Sequence, residues 1–243
     1  FLQGFTMGGG VGVGCHGAHR VVGESSKIAM PECGIGLIPD MGGSLLLARA
    51  PGRLGEYLGV TSARMGPGDA IHAGFADHFL PEADWPGLIA RLEDTGDAAE
   101  IGRAAATRPE SPLAGQGDEI DGFFAGEGLA EITAALRAAD SDLAGKALEA
   151  VERNSPLSMA CTVEVVRRVR ERPDIRFALG QEYRFTWRAM EEGDFLEGIR
   201  AAIIDKDKSP DWRHDGPDAV PAAAVSRMLA PLGDDALDWE ESA

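Results

Sequence analysis

The sequence predicts an α/β fold that is followed by a helical region, and three observations support this prediction. The first part of the chain combines glycine-rich turns with short apolar runs, which is typical of short strands and tight connections. From Pro81 onward, apolar residues recur at helical spacing. The 243 residues are 44% hydrophobic and 6% aromatic, an ordinary balance for a folded protein. We therefore expect a core over residues 1–85 and a helical region, with an acidic linker and a tail, over residues 86–243.

The glycine-rich part predicts a tight turn, a short helix and two strands. Small residues over 8–15 allow close backbone approach, so we expect a turn that enters a short buried helix there. The runs at 19–22 and 27–30 predict two short strands joined by a polar turn. Pro31 and Pro39 then interrupt regular structure on either side of the stretch between them. Helices are expected to follow over residues 44–49 and 53–59.

The second part predicts longer helices separated by polar segments. The acidic, glycine-rich segment at 94–128 predicts flexible connections, and the tail at 214–243, rich in Pro, Ala and Asp, is expected to pack loosely. Arg167, Arg168 and Arg170 share a predicted helix with acidic residues, so we expect them on a solvated face. Apolar spacing predicts the helices at 85–94, 129–138, 143–153, 158–172 and 175–191.

Charge and cysteine content restrict the partners and the compartment. The formal net charge of -17 disfavours binding to nucleic acid or to an anionic membrane surface. No apolar run reaches the roughly 18 residues that a membrane span needs. Cys15, Cys33 and Cys161 are odd in number and widely spaced, which favours a reduced, cytoplasmic setting over disulfides. Neither close pair among the five histidines has a suitably placed acidic or cysteine partner, so no metal site is expected.

Gly8, Gly9 and Gly10 form the first candidate site. Unpaired N–H groups at the start of a helix carry partial positive charge and can stabilise an oxyanion, and glycines let a carbonyl group approach the backbone. Residues 12–17 also match G-x-G-x-x-G, but the strand-like residues follow these glycines instead of preceding them, which disfavours a dinucleotide site. A small-residue helix packed against a sheet is the alternative interpretation.

Glu32 and Asp40 form the second candidate site. Both carboxyl groups are held between prolines and glycines in an otherwise apolar stretch. Burial raises the pKa of a carboxyl group, and two nearby carboxylates separate their pKa values further. This pair could supply one base or nucleophile and one acid. The alternative is that both residues only cap turns or helix starts, as Asp40 could do for the next helix. Cys33 beside Glu32 is expected to be a small buried residue, because no histidine partner accompanies it.

The glycine turn and the two acids together resemble the crotonase superfamily, and within it the 3-hydroxyisobutyryl-CoA hydrolases. The resemblance extends over nearly the whole chain except the acidic middle and the tail. The matching residues are GFTMGGGVG at 4–12, AMPE at 29–32, IGLIPDMGG at 35–43, GEYL at 55–58, AGFADH at 73–78, SPLS at 155–158, EYR at 182–184 and FLEGIRA at 195–201.

This resemblance implies the C-terminal part of a crotonase-like ββα spiral, followed by helices. It implies hydrolysis of a short 3-hydroxyacyl-CoA thioester, with 3-hydroxyisobutyryl-CoA of valine catabolism as the family substrate and no cofactor beyond the coenzyme A of the substrate. The Gly9 N–H would hold the thioester oxygen, and Glu32 would attack the carbonyl or activate water. Asp40 would orient the 3-hydroxyl or pass a proton to the leaving thiol.

The position of Gly12 separates the hydratase and hydrolase branches of the superfamily, and the position of Asp40 is a second difference between them. Hydratases typically have a glutamate where Gly12 stands and often a small residue where Asp40 stands, so both positions favour the hydrolases. An enoyl-CoA hydratase or isomerase is one alternative function, and a non-catalytic fragment or assembly module is the other.

The chain opens on Phe1 without an initiator Met. The resemblance implies that the first half of the core, with a second oxyanion donor and much of the coenzyme A pocket, would lie before Phe1. A missing N-terminal fragment or a second copy of the chain is therefore expected to complete the site.

Overall fold

Four short strands and the first helices follow one another in the N-terminal part of the computed structural model, which describes residues 1–239. Their bounds are β1 (Phe5–Met7), α1 (Gly9–Gly14), β2 (Val21–Val22), β3 (Lys27–Ala29), α2 (Gly43–Arg49), α3 (Leu54–Thr61), α4 (Pro67–His72) and β4 (His78–Phe79), with a 3₁₀ turn at Glu32–Ile35. The predicted turn and short helix after β1 are confirmed, as are the two strands and the two helices after Pro39.

The strands pair in parallel across crossover connections. β1 pairs with β3, with Thr6 opposite Ile28, and β2 pairs with β4, with Val21 opposite His78. Parallel neighbours need a crossover between them, so consecutive strands alternate between two sheets instead of forming hairpins. This alternation places the turn between β1 and α1 beside the segment that follows β3.

Ten helices make up the second part of the described chain. Their bounds are α5 (Trp85–Thr95), α6 (Ala99–Ala104), α7 (Pro112–Gly115), α8 (Gly117–Phe123), α9 (Leu129–Ala138), α10 (Asp142–Arg153), α11 (Pro156–Glu171), α12 (Ile175–Arg188), α13 (Phe195–Ile199) and α14 (Ala222–Met228), and a π-helical turn, Arg200–Ile204, follows α13. The five predicted helices are therefore confirmed.

Two predictions about the polar segments are wrong. The segment at 94–128 contains the helices α6, α7 and α8, each of which buries one apolar side chain, namely Ile101, Leu113 and Ile120. The tail contains α14, which is fixed by the buried Met228 and Leu229. Residues 240–243 of the predicted tail lie outside the described residues.

The apolar core joins both parts of the chain around α11. One cluster of buried side chains extends from Leu2 to Leu229, and α11 packs on α2 and α3. A smaller cluster centred on Leu88 lies under α5. The boundary at residue 85 stays a prediction. Among the described residues, no helix is long and apolar enough to cross a membrane.

The prediction of a solvated arginine face on α11 is wrong for two of its three residues. Arg170 binds the fully buried Glu56 of α3 through both carboxylate oxygens at 2.6 Å, and Arg167 lies 3.5 Å from the same carboxylate. Arg167 also donates to three carbonyl groups between Phe124 and Glu127. These two residues therefore join helices, while Arg168 pairs with Glu164 on the helix surface.

Candidate active site

Gly8 turns the chain from β1 into α1. Its φ of 53° and ψ of -123° lie where a side chain is strained, which explains the glycine at this position. In the described chain, the N–H groups of Gly9 and Gly10 donate to no backbone carbonyl. The structure therefore leaves two amide donors available at the start of this short helix.

The side chain of Glu32 lies beside Gly8. A Cβ atom on Gly8 would be only 3.1 Å from Glu32 Oε1. Glu32 is 5% exposed, and its Oε2 has no hydrogen-bond partner among the described residues. Burial, and to a smaller extent the charges of Asp40 and Glu182, raises the pKa of Glu32 to about 8. The structure thus brings the predicted acid and the predicted glycine turn together.

The turn that carries Glu32 is held from behind by residues of the helical region. The Ser155 N–H, at the start of α11, donates to the Cys33 carbonyl at 3.0 Å. The Ser155 hydroxyl donates to Asp194 at 2.6 Å. Gly36 and Gly198 allow this turn and α13 to touch backbone to backbone, because a Cβ on either glycine would overlap the other segment. The position of Glu32 therefore depends on contacts about 120 to 160 residues further along the chain.

Asp40 begins the loop that leads into α2. It is half-buried, and burial raises the pKa of its carboxyl group. The two next residues, Met41 (φ 56°) and Gly42 (φ 78°), are both left-handed. Neither Glu32 nor Asp40 caps a helix with its side chain: Pro31 precedes the 3₁₀ turn and Gly42 precedes α2 without a side-chain cap. The structure does not support the capping alternative.

Gly12 packs against this loop. A Cβ on Gly12 would lie 2.5 Å from Met41 Cβ and 3.0 Å from the Met41 carbonyl oxygen. With the loop in this position, α1 has no space for a side chain at residue 12. The side chains of Val13 and Met41 are both exposed.

Glu182 is a residue of the site region that the analysis of local patterns missed. Its carboxylate, on α12, accepts the Gly42 N–H at 2.9 Å, the Ser44 N–H at 3.1 Å and the Ser44 hydroxyl. Burial raises its pKa to about 7, against the lowering effect of these hydrogen bonds. The only sequence signal for this residue was the short EYR match, because its contacts lie about 140 residues away.

Two other polar residues of the region are poor nucleophiles. Cys33 is fully buried with its Sγ 3.2 Å from Thr162 Oγ1, and burial raises the pKa of its thiol to about 12. This agrees with the expected small buried residue. His16 lies against Gly42, where partial burial lowers its pKa and favours the neutral ring. Over residues 1–239, no group of three or more His, Cys, Asp or Glu side chains is placed to hold a metal ion.

Comparison with known proteins places these features in a family. The sequence model of the enoyl-CoA hydratase/isomerase family matches residues 1–229, and the chain belongs to this family. The predicted membership of the crotonase superfamily and the α/β crotonase-like fold are thereby confirmed.

Individual relatives carry two kinds of names. The chain is similar to mitochondrial 3-hydroxyisobutyryl-CoA hydrolases of Gallus gallus, with 34% identity over 97% of this chain and 64% of the relative, and of Danio rerio, with 36% identity over 87% and 58%. It is also similar to the solved structure of an enoyl-CoA hydratase from Rhodobacter sphaeroides, with a TM-score of 0.93 and 59% identity over 98% of this chain and 69% of that one. A second similar structure is that of a carnitinyl-CoA dehydratase from Mycobacterium thermoresistibile, with a TM-score of 0.90 and 41% identity over 97% of this chain and 68% of that one. The chain spans less than two thirds of the length of these curated relatives.

Proposed function

We propose that the protein hydrolyses a short 3-hydroxyacyl-CoA thioester, with 3-hydroxyisobutyryl-CoA as its substrate and 3-hydroxyisobutyrate and coenzyme A as its products. The observation that carries this proposal is the buried Glu32, with one unpartnered oxygen, beside a glycine turn that has two available N–H groups. A thioester carbonyl placed there would have an acid or base on one side and oxyanion donors on the other.

Each site residue has a role in this proposal. The Gly9 N–H stabilises the oxygen that becomes negative in the transition state, in a turn formed with Gly8 and Gly10. Glu32 attacks the carbonyl carbon or removes a proton from the attacking water. A base with a pKa near 8 suits this task, because it both accepts and returns a proton close to neutral pH. Asp40 orients the 3-hydroxyl or passes a proton to the thiol that leaves.

Gly12 favours hydrolysis over hydration. In the hydratases that the sequence resembles, a glutamate typically stands at this position and works with the second acid to add water. In this protein, Met41 occupies the space that a side chain on Gly12 would need. The hydrolase names of the curated relatives also support this proposal.

Hydration or isomerisation of an enoyl-CoA is the second candidate function. The observation that favours it is the 59% identity to the solved structure of an enoyl-CoA hydratase from Rhodobacter sphaeroides. A non-catalytic fragment or assembly module is the third candidate. A second copy or an additional segment that completes the site, a cytoplasmic location and the absence of any cofactor beyond the coenzyme A of the substrate remain predictions.

The decisive experiment compares two reactions of the protein expressed from its complete gene. We expect release of free thiol from 3-hydroxyisobutyryl-CoA and little hydration of crotonyl-CoA. Hydration of crotonyl-CoA without thiol release would establish the second candidate. If no short acyl-CoA reacts in either assay, the non-catalytic alternative is correct.

A further inference from the structure

The Asp40 loop, residues 40–44, comprises the residues before α2 and the first two residues of α2, and it adopts a conformation that the chain does not favour by itself. Met41 and Gly42 are consecutive left-handed residues, and a left-handed conformation is unfavourable for a side chain as large as that of Met41. Such a conformation persists only when surrounding contacts hold it. Because Asp40 immediately precedes these two residues, the same contacts determine where its carboxyl group lies.

Glu182 supplies those contacts from the opposite helix. It is 2% exposed and accepts hydrogen bonds from two backbone N–H groups and one hydroxyl group of this loop. Within residues 1–239, no lysine, arginine or histidine pairs with it. The carboxyl groups of Asp40 on the loop and Glu32 on the 3₁₀ turn interact electrostatically with Glu182. Ser44 contacts it from α2, and the imidazole of His16 lies against Gly42 of the same loop.

Hydrogen bonds that only join α12 to α2 would not require a carboxylate without a counter-charge. Burying a carboxylate without a counter-charge opposes folding, and neutral side chains can also accept hydrogen bonds. A buried carboxyl group close to two other carboxyl groups is typical of functional sites, where such neighbours shift the pKa values of the reacting groups.

We infer that Glu182 is a positioning residue of the active site: its carboxylate holds the Asp40 loop in place through its hydrogen bonds to Gly42 and Ser44. This inference rests on the proposed function. Glu182 acts through the loop and through its charge, without contact with the substrate.

The strength with which Glu182 holds the Asp40 loop depends on whether Glu182 is ionised. An ionised carboxylate accepts at both oxygens, whereas a protonated carboxyl group uses one oxygen as a donor. The two N–H groups can only donate, whereas the Ser44 hydroxyl can also accept, so protonation of Glu182 weakens the contacts with the N–H groups and reverses the hydrogen bond with Ser44 or breaks it. The loop is therefore expected to be held most firmly when Glu182 is ionised.

Kinetics of Glu182→Gln test the inference, with Glu192→Gln as the matched control. Glu192 is a surface carboxylate that pairs with Arg227. For Glu182→Gln, we expect kcat for thiol release to fall at least about tenfold with KM nearly unchanged, and the midpoint of the pH profile of kcat/KM to move to lower pH. Glu192→Gln should change neither. A kcat and a pH midpoint like those of the wild type in Glu182→Gln would overturn the inference.

Two measurements test the same inference without activity. Amide hydrogen exchange at Gly42 and Ser44 should accelerate at least about tenfold in Glu182→Ala, because both groups lose their acceptor. Carbon NMR titration should show a lower pKa for Glu32 in Glu182→Gln than in the wild type. Ser44→Ala removes only the hydroxyl donor, so exchange at Gly42 should accelerate less than in Glu182→Ala. If the Glu182 variants do not fold, exchange at Gly42 in Ser44→Ala still tests whether the hydrogen bonds to Glu182 hold the loop.

These readouts separate two possible failures. A wild-type protein that releases no thiol refutes the proposed function, while faster exchange together with the shifted Glu32 titration would still support the role of Glu182. Faster exchange with unchanged kinetics and an unchanged Glu32 titration would show a purely structural tie and overturn the inference.

Discussion

At the scale of single residues, the site is defined by a carboxyl group that the fold makes difficult to ionise. Glu32 has one oxygen against Gly8 and another without a partner in the described chain, and two further carboxyl groups act on it. A protein that needed only a turn at this position would not bury this group. The cost of burying it is explained if a substrate carbonyl or water is to occupy the unpaired side.

Replacement of the two acids tests their roles directly. Glu32→Gln and Asp40→Asn should each reduce kcat for thiol release, by about 10²–10⁴-fold if the residue transfers a proton. Because the ionised form of Glu32 is the active base, kcat/KM should be low in acid and should rise as the pH increases through about 8. The exposed Glu93→Gln is the matched control and should have no effect. Wild-type rates in both site variants, with the fold intact by circular dichroism, would refute the assigned roles.

Alanine at Gly12 tests whether the Asp40 loop lies against α1. A methyl group at residue 12 would meet Met41 Cβ at 2.5 Å, so the loop must shift, and we expect the free energy of unfolding to fall by about 1–3 kcal/mol. Gly10→Ala on the same helix meets its nearest atom at 3.8 Å and should be neutral or slightly stabilising. Urea unfolding measures both. Equal stability of the two variants would show that the loop does not pack there.

At the scale of elements, a feature could be predicted from the sequence when it depends on neighbouring residues, and could not when it depends on contacts far apart along the chain. The turn before α1 and the long helices depend on neighbouring residues, so local patterns predicted them. The Pro- and Gly-bounded segment around Glu32 was also visible locally, but the distant contacts that hold it were not. The helices α6, α7 and α8 have four to seven residues and one buried apolar side chain each, which is too short for a periodic signal. The contacts of Glu182 and of Arg170 join residues more than 100 positions apart and have no local signature.

The buried ion cluster between α3 and α11 provides a prediction about element packing. Glu56 is fully buried and binds Arg53, Arg167 and Arg170, which lowers its pKa against the effect of burial. Glu56→Gln leaves these guanidinium groups without a counter-charge, but their side chains are 20–36% exposed, so the free energy of unfolding should fall by about 1–3 kcal/mol, less than for a fully buried pair.

A surface ion pair is the control for this prediction. Arg103→Met removes the exposed pairs with Asp97 and Glu100 and should leave the free energy of unfolding almost unchanged, because solvent screens such pairs. Denaturant unfolding of both variants makes the comparison. A loss for Glu56→Gln as small as that for Arg103→Met would mean that the cluster does not stabilise the packing of the two helices.

At the scale of the whole molecule, the shared core links the site to the helical region. The turn that carries Glu32 is held by Ser155 and Asp194, and the Asp40 loop by Glu182. All three carboxyl groups near the site have raised pKa values: Glu32 at about 8, Glu182 at about 7, and Asp40 above its ordinary value. Their proton binding must therefore appear in the pH dependence of global stability.

The expected pH dependence follows from the sign of these shifts. A carboxyl group whose pKa is raised on folding makes the folded state bind more protons than the unfolded state between the two pKa values. For Glu32, this contribution to stability is complete below the ordinary value of 4.5 and is lost as the pH rises through about 8. Glu56 and Asp77, whose pKa values are lowered, contribute the opposite slope in acid. His16, whose pKa is lowered, opposes this slope as the pH rises through its ordinary value of 6.5, but it contributes one proton against the two of Glu32 and Glu182. The free energy of unfolding should therefore decrease as the pH rises from about 5 to about 8.

Glu32→Gln isolates the part of this slope that belongs to the active site. The variant should unfold with a flatter pH dependence over the same window and be more stable than the wild type at pH near 8.5, by about 1–3 kcal/mol, because it buries no charge there. Near pH 4 the difference should largely disappear. Urea unfolding at several pH values measures it, with Glu93→Gln as the control that keeps the wild-type slope. An unchanged slope in Glu32→Gln would show that this carboxyl group ionises normally in the folded protein. The raised pKa of Glu32 could then no longer be used as support for a catalytic role.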